Sequence, residues 1–162
     1  MSKTDHWQSA LAGIALALIA YVAISIGWYQ WTSLAPASRW FEVQSLFIAD
    51  AVEGGDPVVT YTRSINEDIH AEFTVSITRH EGAEDRTGTV YCTGEGSANY
   101  VAGRELPPAG TSLAWLMNRE GSPCVFTPGI YRARGVWQLS PPGYPVKQIT
   151  VDSNYFTVHP AK

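Results

Sequence analysis

The chain has 162 residues, 45% hydrophobic, 16% charged and 12% aromatic, and a net charge of −4 from 11 basic and 15 acidic side chains. That length suits one domain plus a short appendage. The aromatic content argues against disorder, and an acidic chain without a basic face argues against nucleic acid as a partner. Two cysteines are too few for a disulfide scaffold or a four-ligand zinc site.

Residues 1–8 read as a short cytoplasmic N-terminus and residues 9–31 as a transmembrane helix. No Asp, Glu, Lys or Arg occurs between Asp5 and Arg39, and the apolar core of that gap runs from Ala10 to Gly27. A bilayer core of about 30 Å needs about 20 helical residues, and a helix from Trp7 to Trp28 would rise about 31 Å. Trp7 at one end, with Trp28, Tyr29 and Trp31 at the other, therefore stands where indole and phenol rings settle at the headgroup layers. A buried helix of a soluble core is the bland alternative, but a small domain could not cover so long an uncharged stretch. A cleavable signal peptide is the other, because Ala35-Pro36-Ala37 offers a small-x-small site. The apolar run exceeds the length of a signal h-region, so an uncleaved signal anchor is expected.

Lys3 lies on the N-terminal flank, while Glu42, Asp50, Glu53 and Asp56 follow Arg39 on the other. The positive-inside rule then puts the N-terminus in the cytoplasm and the C-terminal domain in the periplasm, anchored in the inner membrane. Gly13, Ala17, Ala20 and Gly27 form a stripe of small residues broken by Ile24. Such a stripe lets helix backbones approach closely in lipid. The expected partners are the bilayer itself and, through this stripe, another membrane protein or a second copy of the chain.

Residues 32–41 read as a connector. Pro36 stops the helix, and Trp40 and Phe41 are placed to graze the bilayer surface. From residue 42 to 162 the hydrophobic period drops to two, with turn clusters between short β-rich runs, as in an all-β sandwich. Strands are expected at Glu42–Ala51, Val58–Ile65, Ala71–Arg79, Gly88–Thr93, Thr111–Leu116 and Gly129–Leu139. A last strand runs from Lys147 to Val158 and bends at Asp152-Ser153-Asn154. In Ala71–Arg79, Phe73, Val75 and Ile77 share one face. In Gly129–Leu139, Tyr131, Ala133, Gly135, Trp137 and Leu139 do so. Gly94 to Gly110 reads as loop, and Trp115 and Trp137 read as core.

Pro128-Gly129-Ile130-Tyr131, opening a long strand, resembles the entry to a late strand of immunoglobulin-like and fibronectin-type sandwiches. The resemblance implies that Tyr131 is a tyrosine-corner residue, its hydroxyl bonding back across the corner. Ser153-Asn154-Tyr155-Phe156-Thr157-Val158 resembles the closing strand of such modules. Cys92 and Cys124 do not have the spacing of the antibody inter-sheet bridge. Together with Tyr61-Thr62-Arg63-Ser64-Ile65, these segments also resemble short membrane-anchored proteins of tailed phages and prophages of Gram-negative bacteria, which implies no particular activity.

In an oxidising compartment a bridge between Cys92 and Cys124 is expected, tying down the Pro/Gly-rich stretch between them. The alternative is two buried thiols in a cytoplasmic domain. His70 and Glu72 share a strand face, with His80 further along, but an exposed face beside a charged loop is the simpler account than a metal site. Glu67, Asp68, Glu81, Glu84 and Asp85 lie in polar turns. Arg132 and Arg134 fall on the outer face of their strand. No P-loop, G-x-S-x-G, dinucleotide fingerprint or H-E-x-x-H is present.

The expectation is a non-catalytic interaction module or accessory subunit with no cofactor. A phage envelope protein acting in lysis, exclusion or host-surface modification is an alternative. A peptidoglycan or glycan binder, which would need exposed Trp115, Trp137 or tyrosine rings, is another.

Overall fold

The computed structural model describes residues 3–82, 87–104, 110–117 and 124–161, with the side chains of the N-terminal helix from residue 12 onward. The chain divides into two compact units, one comprising Met1–Ala35 with Gly143–Pro145 and the other Pro36–Pro142 with Val146–Lys162. Helix α1 spans Lys3–Leu34. It ends where Pro36, which has no N–H to donate and disfavours helical backbone before it, opens a single 3-10 turn at Ala37–Arg39.

The second unit is built from two sheets. The strands are β1 (Phe41–Ile48), β2 (Ala51–Val52), β3 (Val58–Ile65), β4 (Ile69–His80), β5 (Thr89–Tyr100), β6 (Thr111–Ser112), β7 (Gly129–Ser140) and β8 (Lys147–His159). A short helix α2 (Leu113–Met117) follows β6. One sheet has the order β1-β3-β6, the other β2-β8-β7-β4-β5. All pairings are antiparallel except that of β2 with β8.

Alternation along the strands sends one side chain in two to a shared interior. Ile48 and Val59 come from the first sheet, Val75, Ile77, Tyr131, Leu139 and Phe156 from the second, and all are buried. The Phe41 ring of β1 lies 4.7 Å from that of Tyr100 on β5 and 6.2 Å from that of Trp137 on β7, so rings from both sheets meet in one core. The faces expected for Phe73, Val75 and Ile77, and for Tyr131 through Leu139, are the buried ones.

Several sequence expectations are corrected. Trp40 and Phe41 are 2% and 0% exposed. They close the end of the core and do not graze a bilayer. The first strand is not continuous: β1 stops at Ile48, and β2 joins the opposite sheet beside β8. The Gly-rich stretch after Gly94 is strand as far as Tyr100. Its glycines admit close neighbours: a Cβ at Gly94 would stand 2.6 Å from the Met117 carbonyl oxygen, and one at Gly96 would stand 2.8 Å from the Phe73 ring.

Thr111–Leu116 is strand only for its first two residues. Ser112 Oγ accepts the Trp115 N–H at 3.0 Å and Asp56 Oδ1 accepts that of Ala114 at 3.0 Å, which caps a helical turn. Helical spacing then buries Leu113 with Met117 and turns Trp115 outward, 39% exposed, where a strand would have put Leu113 and Trp115 on one face. The last strand is one element, and its register shifts where the bend is expected: Ser153 and Asn154 of β8 stand opposite the single residue Ala133 of β7, and buried Ser153 accepts the Ala133 N–H at 2.9 Å.

Candidate functional site

A concavity lies between the two sheets. It encloses about 360 Å³, and among its lining residues are Tyr61 and Arg63 from β3, Tyr100 from β5, Arg104, Trp115 from α2 and Trp137 from β7. That volume is at the lower end of the range for small-molecule sites. On β3 the inward positions are Val59, Tyr61, Arg63 and Ile65, so period two delivers a guanidinium to the core-facing side of a strand. On β5 the inward positions preceding Tyr100 are Gly94, Gly96 and Ala98, whose small side chains leave room for a cavity.

Arg63 Cζ stands 5.0 Å from the Tyr61 ring centroid and 5.1 Å from that of Tyr100. Its Nε is shut off from solvent and has no hydrogen-bond partner among the described residues. No Asp or Glu is among the described residues that line the cavity, and Arg104 adds a second positive charge. A site with this composition favours an anion with an apolar body.

The cysteines are joined: Cys92 on β5 and Cys124 form a disulfide with Cα atoms 6.2 Å apart. The bridge works with neighbouring contacts to dock the segment that enters β7. Tyr91 Oη donates to the Val125 carbonyl at 2.6 Å, and the Tyr91 ring stacks on Phe126 at 6.0 Å. Tyr131 Oη donates to the Thr127 carbonyl at 2.8 Å. Tyr131 is fully buried, between Phe126 and Phe156 at 5.3 and 5.7 Å.

Along α1, Gly13, Ala17, Ala20 and Gly27 are exposed on the helix surface, and a Cβ at Gly13 or Gly27 would meet open space. Trp28, Tyr29 and Trp31 are also exposed. The Trp7 side chain, Glu84 and Asp85 lie outside the described residues.

The other candidates do not converge. His70 pairs with Asn99 at 2.8 Å on an exposed face, whereas His80 is buried edge-on to Tyr155. Among the described residues no three His, Cys, Asp or Glu side chains gather as a metal site. Glu67 pairs with Arg39 at 3.1 Å, and Asp68 accepts the Ala102 N–H at 2.8 Å, so these carboxylates serve the turns that hold them. Arg132 and Arg134 are not merely solvated. Both reach Asp152, at 3.4 and 2.7 Å. The Arg134 hydrogen bond holds the Asp152 carboxyl below its usual range; burial opposes it, and the charges of Arg132 and Arg134 add to the lowering. Trp137 is core as expected, but Trp115 is a cavity wall and not a core residue.

Sequence reasoning missed Arg63, Tyr61 and Tyr100. The available signal was an arginine at an inward position of an alternating strand, Val59-x-Tyr61-x-Arg63-x-Ile65, where burial of a charge demands a reason. Comparison with family models, with characterised proteins and with solved structures returns no match.

Proposed function

We propose that this protein is a non-catalytic interaction module or accessory subunit of a membrane complex. In this reading one lipid-embedded helix anchors an immunoglobulin-like domain on the periplasmic side of the inner membrane. The observation that carries the reading is the helix surface. Ala12–Leu34 is 23 residues long and apolar enough to cross a bilayer, and Leu16 and Ile24 stand 68% and 71% exposed. Such a surface is stable in hydrocarbon and costly in water. The disulfide supports an oxidising compartment for the second unit, and Lys3 on the N-terminal flank supports a cytoplasmic N-terminus. The small-residue stripe of Gly13, Ala17, Ala20 and Gly27 is the surface through which another membrane helix, or a second copy, would dock.

The immunoglobulin-like assignment draws on strand order. In that fold the second and fifth strands are neighbours on one sheet, and the third, sixth and seventh lie side by side on the other. Here β3 neighbours β6, while β4, β7 and β8 are adjacent, with β5 added beyond β4 in the place where variable-type domains add a strand. The Tyr131 bond to Thr127 at the entry to β7 has the geometry of a tyrosine corner. The chain departs from antibody domains in its disulfide, which joins β5 to the approach to β7 and not one sheet to the other.

Fractionation with protease protection tests this reading. The full chain, tagged at its N-terminus, should stay with membranes through an alkaline carbonate wash. In spheroplasts its C-terminal domain should be digested by external protease while the tag survives. A photo-crosslinking residue at position 17 or 20 should give a discrete adduct with a membrane protein or with the chain itself. Recovery in the carbonate supernatant, or protection of the C-terminal domain, would overturn it.

A further inference from the structure

We propose that the cavity between the sheets is a binding site for a small aromatic carboxylate, with Arg63 as its anion anchor and Trp115 as the platform for its ring. The inference is independent of the membrane reading, because every residue it uses belongs to the β-rich unit.

The physical problem is Arg63. A guanidinium carries five in-plane N–H donors and keeps its charge at any physiological pH. Its contacts with Tyr61 and Tyr100 are cation–π contacts, which engage the charge through the ring faces and use none of those donors. Nε is out of reach of solvent and without an acceptor among the described residues. A charged donor left unsatisfied is costly, and an acceptor entering the cavity removes that cost once the Arg63 side chain turns its Nε, which is closed to solvent, toward it. A carboxylate does so with two oxygens that match the arginine fork.

Charge selects the sign of the ligand. The described lining residues include Arg63 and Arg104 and no acidic side chain, in a chain whose net charge is −4. The walls select its body. Trp115, 39% exposed, offers an indole to the cavity, and Leu46, Phe73 and Trp137 add apolar surface beside the polar Ser97 and Asn99. A planar aromatic group gains stacking on such a wall, whereas a strongly hydrated polyol would lose hydrogen bonds there.

The test is calorimetric titration of the full chain in nanodiscs of zwitterionic phospholipid with indole-3-acetate, tryptamine and 3-methylindole, which share a ring and differ in charge. Indole-3-acetate should bind at least tenfold more tightly than either of the others. It should also shift the Arg63 Nε–H and Trp115 indole N–H resonances in a nitrogen-15 correlation spectrum. Arg63→Gln should weaken binding of the anion at least tenfold and leave that of 3-methylindole unchanged, and Trp115→Ala should weaken both. Should Arg63→Gln fail to fold, the ligand series with the unaltered chain still decides. Equal affinity for the three compounds, no binding of indole-3-acetate at millimolar concentration, or shifts confined to residues outside the cavity would each overturn the proposal.

Discussion

Asn154 on β8 holds the peptide of Ile48 on β1 through both of its polar groups. Asn154 Nδ2 donates to the Ile48 carbonyl at 2.9 Å, and Asn154 Oδ1 accepts the Ile48 N–H at 2.8 Å. One side-chain amide thus stands in for a ladder rung between strands of different sheets, 106 residues apart, at the point where the chain leaves β1 for β2. Asp50 Oδ1, which accepts the Thr157 N–H at 2.7 Å, secures the next stretch of that crossing.

Removing this amide should loosen the seam between the sheets. Asn154→Ala leaves a part-buried donor and acceptor unpaired and should cost about 2 kcal/mol. Asn154→Asp keeps the acceptor but sets a carboxylate against the Ile48 carbonyl, and should cost at least as much at neutral pH. Urea titration of the full chain in detergent micelles measures both. A loss below a few tenths of a kcal/mol for Asn154→Ala would show that water replaces the amide.

The disulfide closes a loop with a sequence separation of 32. On the chain-entropy model its loss should cost about 3–4 kcal/mol. The paired change Cys92→Ser with Cys124→Ser should lower the unfolding midpoint, and reductant added to the unaltered protein should lower it equally. Amide exchange should quicken first at Val125 to Thr127, which the bridge and Tyr91 hold in place.

Asp152 should make stability pH-dependent. Its carboxyl titrates below the ordinary value of 3.8 because Arg134 hydrogen-bonds to it, with further help from the charge of Arg132. A carboxylate whose folded-state pKa is depressed contributes stability that is fully present above its unfolded value. That contribution is lost as pH falls through the folded one. Asp152→Asn should therefore lower the melting temperature at pH 7, and its difference from the unaltered chain should shrink steadily as pH drops below about 4. A difference independent of pH would assign the effect to packing. High salt should diminish it as well, since Arg134 is solvent-exposed.

Gly135 carries a packing requirement that its neighbours make explicit. A Cβ there would stand 2.5 Å from Trp137 Cη2. Gly135→Ala must displace an indole that packs toward Phe41, and should cost about 1–3 kcal/mol. Near-ultraviolet circular dichroism should report the altered tryptophan environment, while Gly82→Ala, where added bulk would meet open space, should leave that signal intact.

Two charged substitutions on the helix, Leu16→Arg with Ile19→Arg, should release the chain from the membrane fraction. Each charge near the bilayer centre costs about 3 kcal/mol on the insertion scale. Retention of the doubly substituted chain after a carbonate wash would mean that something other than its apolar surface holds it there.

By itself the amino-acid sequence determined what depends on near neighbours. The uncharged run between Asp5 and Arg39 dictates a long apolar helix, and alternation in Ala71–Arg79 and Gly129–Leu139 dictates which side chains face inward. Those properties follow from the periods of the helix and strand, which a short segment contains in full. Only the tertiary structure decided that β1 and β2 belong to different sheets, that Gly94 and Gly96 continue a strand, and that residues after Ser112 turn helical. Each is settled by a partner remote in sequence: Asn154 for Ile48, Met117 for Gly94, Phe73 for Gly96 and Asp56 for Ala114. The cavity around Arg63 is of the same kind, because its walls come from strands and a helix that no local pattern brings together.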